Sequence, residues 1–121
     1  MNHALLYIED NESNISLIEA LLRRRPQIEL HVAMNGHDGV RVARDVQPNL
    51  ILLDNRLPDA SGGEILQKLT SAPATAAIPV VVFTGDSDEV IDELLANGAA
   101  ESIGKPFNLQ QFMGILDRYF L

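Results

Sequence analysis

Asp54 closes the apolar run Leu50-Ile51-Leu52-Leu53, so a carboxylate stands where a buried strand should end. Three other apolar runs also end in reactive groups: Ala4 to Ile8 in Glu9-Asp10, Ile78 to Phe83 in Thr84, and Ser102-Ile103-Gly104 in Lys105-Pro106. In an open parallel sheet, the strand ends on one edge line a common crevice where ligands bind. Three carboxylates, a hydroxyl and an ammonium would converge there, a set that suits a divalent metal and a phosphoryl group.

Magnesium is a hard cation that takes oxygen ligands and is usually held by one or two carboxylates plus phosphate. Clustered acids repel one another, and a divalent cation relieves that repulsion. Glu9, Asp10 and Asp54 therefore read first as a site for magnesium, or for manganese in its place. Asp54 also suits a second role, since a carboxylate can act as a nucleophile and carry a phosphoryl group as an acyl phosphate. The metal would offset charge on the transferring oxygens. Lys105 would bring a mobile point charge to the same oxygens, and Thr84 a hydrogen bond. Gly62, Gly63 and Gly85 would leave room for the group. A cis bond at Lys105-Pro106, one of the places where cis peptides are cheap, would turn the lysine toward the crevice.

These groups need a scaffold, and the chain alternates strand and helix signals throughout. Strands are expected at 4–9, 28–33, 50–54, 78–84 and 100–103, and helices at 13–25, 36–46, 63–72, 87–97 and 108–120. The strands are short and apolar without alternation, as for parallel strands buried on both faces. Only Ile28-Glu29-Leu30-His31-Val32 alternates, which makes strand two an edge with one wet face. Ile15, Ile18, Leu21 and Leu22 recur at helical spacing, as do Leu109, Phe112, Leu116 and Tyr119. Ser13 or Asn14 can cap helix one, Asp86 or Ser87 helix four, and Asn108 helix five; Gly98 marks a helix stop. Five βα units predict an α/β fold of the flavodoxin-like kind. Its doubly wound, five-stranded parallel sheet has strand order 2-1-3-4-5, with helices on both faces. That order sets the ends of strands one and three side by side.

The 121 residues fit one domain, 1–121. With 17 acids, 9 bases and a net charge of −8, the chain lacks the basic footprint that direct binding to nucleic acid or an anionic membrane needs. Arg23-Arg24-Arg25 is expected to end helix one, where cations complement the helix dipole. There is no cysteine, and no apolar stretch approaches the ~20 residues of a membrane span. Met1-Asn2-His3 does not open a signal peptide, so the expected location is cytoplasmic.

Five segments together resemble the response-regulator receiver domains of two-component signalling. They are Tyr7-Ile8-Glu9-Asp10-Asn11, Leu53-Asp54-Asn55-Arg56-Leu57-Pro58, Gly62, Val82-Phe83-Thr84-Gly85 and Lys105-Pro106-Phe107. The Glu9-Asp10-Asn11 form is similar to receivers of hybrid histidine kinases, and stand-alone receivers use it too. The resemblance implies that Asp54 is the phosphoacceptor and takes its phosphoryl group from a histidine kinase or histidine phosphotransfer protein. It implies that Asp10, Asp54 and the Arg56 backbone carbonyl bind the metal directly, with Glu9 acting through a metal-bound water. Thr84 and Lys105 would contact the phosphoryl oxygens. It implies a signalling module that relays its state to a downstream protein, as a monomer or weak homodimer, with no separate substrate turnover.

Two positions depart from the family pattern. Receivers usually carry an aromatic residue three positions before the lysine, which turns inward when the threonine moves; here it is Ser102. Serine cannot bury comparable apolar area, so a weaker or different conformational response is expected. Wide changes in amide spectra across helix four, strand five and helix five on phosphorylation would contradict this. Arg56 and Asp86 occupy the positions that flank the path of the hydrolytic water in the family, and their opposite charges could pair across the site.

Three rivals remain. A haloacid-dehalogenase-like phosphatase needs a second aspartate two positions after the nucleophile, where Arg56 stands. A flavodoxin needs a phosphate-cradling first loop, whereas Glu9-Asp10-Asn11-Glu12 would repel phosphate. A pseudo-receiver, acting only as a protein-interaction module, is kept open by Ser102.

Overall fold

The structure is a computed structural model, and it describes residues 3–120. Five strands alternate with five helices: β1 (Ala4–Ile8), α1 (Glu12–Leu22), β2 (Glu29–Ala33), α2 (Gly36–Val46), β3 (Leu50–Asp54), α3 (Gly62–Ser71), β4 (Val80–Thr84), α4 (Asp88–Ala96), β5 (Glu101–Gly104) and α5 (Leu109–Tyr119). All strands are parallel, in the order β2-β1-β3-β4-β5. This is the expected flavodoxin-like arrangement.

The period-two geometry of a strand divides the apolar residues between two faces. Leu5, Tyr7, Leu50, Leu52, Val81 and Phe83 pack with Ile18 and Leu22 of α1 and with Phe112, Ile115 and Leu116 of α5. Leu6, Ile8, Ile51, Leu53, Val80 and Val82 pack instead with Ala43 of α2, Ile65, Leu66 and Leu69 of α3, and Leu94 of α4. β1, β3 and β4 are buried at every position, which explains their unbroken apolar runs. β2 is largely open and forms one edge of the sheet, as its alternation predicts.

The helix ends show where local chemistry overrode the sequence reading. The N-cap of α1 is Asn11, ahead of the expected Ser13 or Asn14; its side chain accepts from the Asn14 amide at 3.0 Å. The helix stops at Leu22 because the amides of Arg23, Arg24 and Arg25 bond three residues back, tightening the chain out of α geometry. The three arginines thus follow the helix, and Arg25 pairs with Asp117 of α5 at 3.2 Å. β4 begins at Val80, later than expected, since Ile78 closes a turn onto the Thr75 carbonyl. β5 runs one residue later than expected. Asn108 caps α5 in a reciprocal box with Gln111, and Ser61 caps α3 with Glu64 in the same way. Ser87 caps α4 without a side-chain bond. Gly98 follows α4 with φ +112°, a conformation that favours glycine. In the C-terminal segment Tyr119 is half-buried and Phe120 buried; Met1, Asn2 and Leu121 lie outside the described residues.

Candidate functional site

The strand order sets β1 beside β3 and β3 beside β4, with Asp54 opposite Phe83 in register. The C-terminal strand ends therefore form one cleft. Glu9, Asp10 and Asp54 each bring a carboxylate oxygen to within 4.8 Å of the others. Glu9 and Asp54 are buried and Asp10 is exposed. Among the described residues this is the one acidic group so arranged, and its hard oxygen donors match what magnesium requires. Lys105 reaches in from the end of β5, with Nζ 2.5 Å from Asp54 Oδ1. The Lys105-Pro106 bond is cis, as anticipated. The Arg56 amide lies 3.4 Å from the same Asp54 oxygen.

Glu9 is fastened from three sides. The Tyr7 hydroxyl donates to Oε1 at 3.1 Å, the Asn14 amide donates to Oε1 at 2.9 Å, and the Asp10 N–H donates to Oε2 at 3.2 Å. Burial, and then contact with Asp54, push the Glu9 carboxyl above its ordinary range, while Asn14 pulls the other way. Burial, and then the Glu9 charge, push the Tyr7 phenol well up. The sequence placed Tyr7 in a motif and offered Asn14 as a helix cap, but gave neither a part in holding Glu9. Tyr7 was legible in principle, since it precedes Glu9 by two on a strand and so shares its face.

Thr84 lines the cleft with Asp54 and Lys105, which encloses about 260 Å³. Its hydroxyl does not point at the carboxylate cluster, however; it donates to Asp86 Oδ2 at 2.7 Å. Arg56 and Asp86 do pair, at 2.9 Å, with Arg56 itself 83% exposed. Bonds from Thr84 first, then Arg56 and Asn55, hold the Asp86 carboxyl down at about 2. Of the three glycines, Gly85 borders the cleft and Gly62 is filled by contact with Asn55 rather than open. Gly63 faces Leu94 and Ser61, away from the cleft. Ser102 sits half-buried in β5 opposite Val82. The aromatic rings lie on the other face, where Phe83 stacks on Phe107 with centroids 5.4 Å apart.

The family model for response regulator receiver domains matches residues 5–117. The chain belongs to this family. The receiver is 29% identical over 120 residues to the polar-differentiation response regulator DivK of Brucella anthropi, covering 98% of this chain and 97% of that one. It is 33% identical over 111 residues to the response regulator PleD of Caulobacter vibrioides, covering 89% of this chain but 24% of that protein. Among solved structures, the receiver domain of a Pseudomonas aeruginosa sensor histidine kinase matches with a TM-score of 0.86 and 27% identity over 98% of both chains. That structure has a magnesium ion coordinated in its active-site cleft. Receivers are signalling modules of two-component systems, not enzymes of substrate turnover. No helix among the described residues is long and apolar enough to cross a membrane.

Proposed function

We propose that this receiver accepts a phosphoryl group on Asp54 from a phosphohistidine of a histidine kinase or phosphotransfer protein. The observation that carries the reading is the set of groups around Asp54: two further carboxylates within 4.8 Å and the Lys105 ammonium at 2.5 Å. An Asp54 oxygen attacks phosphorus, a P–O bond forms, and the P–N bond to the donor imidazole breaks with its electron pair returning to nitrogen. Asp10, Asp54 and the Arg56 carbonyl would hold magnesium or manganese, with Glu9 acting through a water. The cation supplies positive charge to the phosphoryl oxygens.

In the resting protein Lys105 neutralises Asp54. As the acyl phosphate forms, the ammonium moves from the carboxylate to a phosphoryl oxygen, a shift its flexible stem allows. Tyr7 and Asn14 keep Glu9 from swinging out of the cleft. The 260 Å³ cleft accommodates the group without rebuilding the strand ends. The phosphorylated form would then be read by a downstream protein.

Intact mass after incubation with acetyl phosphate tests this, with and without magnesium, beside Asp54→Asn. The expected result is a magnesium-dependent gain of one phosphoryl group that the variant lacks. No gain from acetyl phosphate or from a phosphorylated histidine donor, with no magnesium binding, would instead favour a pseudo-receiver.

A further inference from the structure

Thr84 has a single hydroxyl proton, and in the resting structure that proton is committed. It is donated to Asp86 Oδ2 at 2.7 Å, while Thr84 Oγ1 accepts from the Asp86 N–H at 3.0 Å. A hydrogen bond to an ionised carboxylate is stronger than one between neutral groups. Asp86 is itself held. Asn55 Nδ2 donates to its Oδ2 at 2.6 Å, and Arg56 Nη2 donates to its Oδ1 at 2.9 Å. Asn55 is held in turn by its backbone, whose N–H donates to Phe83 at 3.0 Å and whose carbonyl accepts from Gly62 at 2.8 Å. A Cβ on Gly62 would lie 2.6 Å from Asn55 Oδ1, so the start of α3 presses on this side chain. The geometry is thus prepared from two strands and one helix, not by Thr84 alone.

We propose that Asn55, Arg56 and Asp86 form a latch on Thr84, with Asp86 the acceptor and Asn55 the residue that positions it. The latch withholds the threonine hydroxyl from the Asp54 cleft until a phosphoryl group competes for it. The inference rests on the reading of Asp54 as phosphoacceptor. It gives Asp86 a part in setting the balance between resting and activated states, separate from any effect on hydrolysis. It also fits the replacement of the usual aromatic by Ser102: no ring in β5 records the position of Thr84, and the latch is the contact that its movement must break.

Beryllofluoride mimics the phosphoryl group on an aspartate and is not hydrolysed there, so its affinity reads this balance without reading water access. We would titrate it with magnesium into the wild type, Asp86→Ala, Asn55→Ala, Thr84→Val and the double variant Thr84→Val/Asp86→Ala, following amide shifts. Asp86→Ala is expected to tighten binding on the order of tenfold, because the competing charge-assisted bond is gone. Asn55→Ala should tighten it less. In the Thr84→Val background the gain from Asp86→Ala should vanish. A gain that persists there would mean that Asp86 acts only through its charge, and would overturn the latch. So would no gain at all. Three-bond couplings at Thr84 provide a second check before any ligand is added: one rotamer in the wild type and averaging in Asp86→Ala support the latch, and averaging in both overturns it. Failure of the wild type to take up beryllofluoride would overturn the phosphoacceptor reading, and the latch with it.

Discussion

Asp54 shows how much of a residue's chemistry is set by its neighbours. A carboxylate 6% exposed would be costly alone; here it has Lys105 at 2.5 Å and the edge of a polar cleft. Arg56 has the opposite situation. It is largely exposed, and an exposed ion pair contributes little to stability. Its effect should appear in kinetics. The guanidinium pairs with Asp86 at the cleft that Asp54 also lines, where the pair would obstruct water, so Arg56→Ala is expected to shorten the phosphoryl half-life a few-fold while leaving the thermal midpoint nearly unchanged. Decay of the phosphorylated mass with time would measure it, and an equal half-life would show that the pair does not obstruct water.

The elements carry tight tolerances where they meet. α2 lies so close to β1 that a Cβ on Gly39 would be 2.6 Å from Ile8 Cδ1, with two further Ile8 carbons within 3.0 Å. Ile8 is fully buried and β-branched, so its side chain cannot step aside cheaply. Gly39→Ala would gain about 1 kcal/mol of helix propensity against an overpacking cost of about 1–3 kcal/mol. A net loss of up to about 2 kcal/mol is expected in urea unfolding; a stabilised variant would show that α2 can shift freely over β1. The same closeness matters for the site, because Glu9 follows Ile8 directly and is bonded through its amide to the Ala33 carbonyl at 2.9 Å. Element identities were all legible beforehand, and α2 and β3 fall where periodicity puts them. The ends were less legible, because capping by Asn11 and the tightened turn at Arg23–Arg25 depend on hydrogen bonds that compete within one or two residues.

Across the whole molecule, two apolar layers clamp one sheet, and two tyrosines tie polar groups into that frame. Tyr119 donates to Glu101 at 2.7 Å; burial and then Glu101 push its pKa up to about 12. Glu101 also accepts from Arg118. Tyr7 moves in the same direction through burial and Glu9. A phenol whose folded pKa is raised contributes stability that is fully present below its ordinary pKa near 10 and is lost as pH rises through the folded value. Stability should therefore fall between pH 10 and about 12. In Tyr119→Phe the fall in that window should be shallower, leaving the part due to Tyr7. Urea midpoints measured across the window test this, and an unchanged slope would remove Tyr119 from the account.

Fold class, strand order and the reactive strand ends could all be read from the chain alone. Each follows from short-range facts: period-two burial, right-handed βα crossovers, and a polar residue where an apolar run stops. Asp54, Asp10, Glu9 and Lys105 were legible as a group for that reason. The direction of the Thr84 hydroxyl was not, nor was the part played by Asn55, Tyr7 and Asn14. A hydroxyl or amide takes its partner from whatever acceptor the packed loops leave within about 3 Å. For Asn55 that acceptor lies 31 positions away, on the loop after β4. Thr84 faces Asp86 because the packed fold brings the loop after β4 against the end of β3.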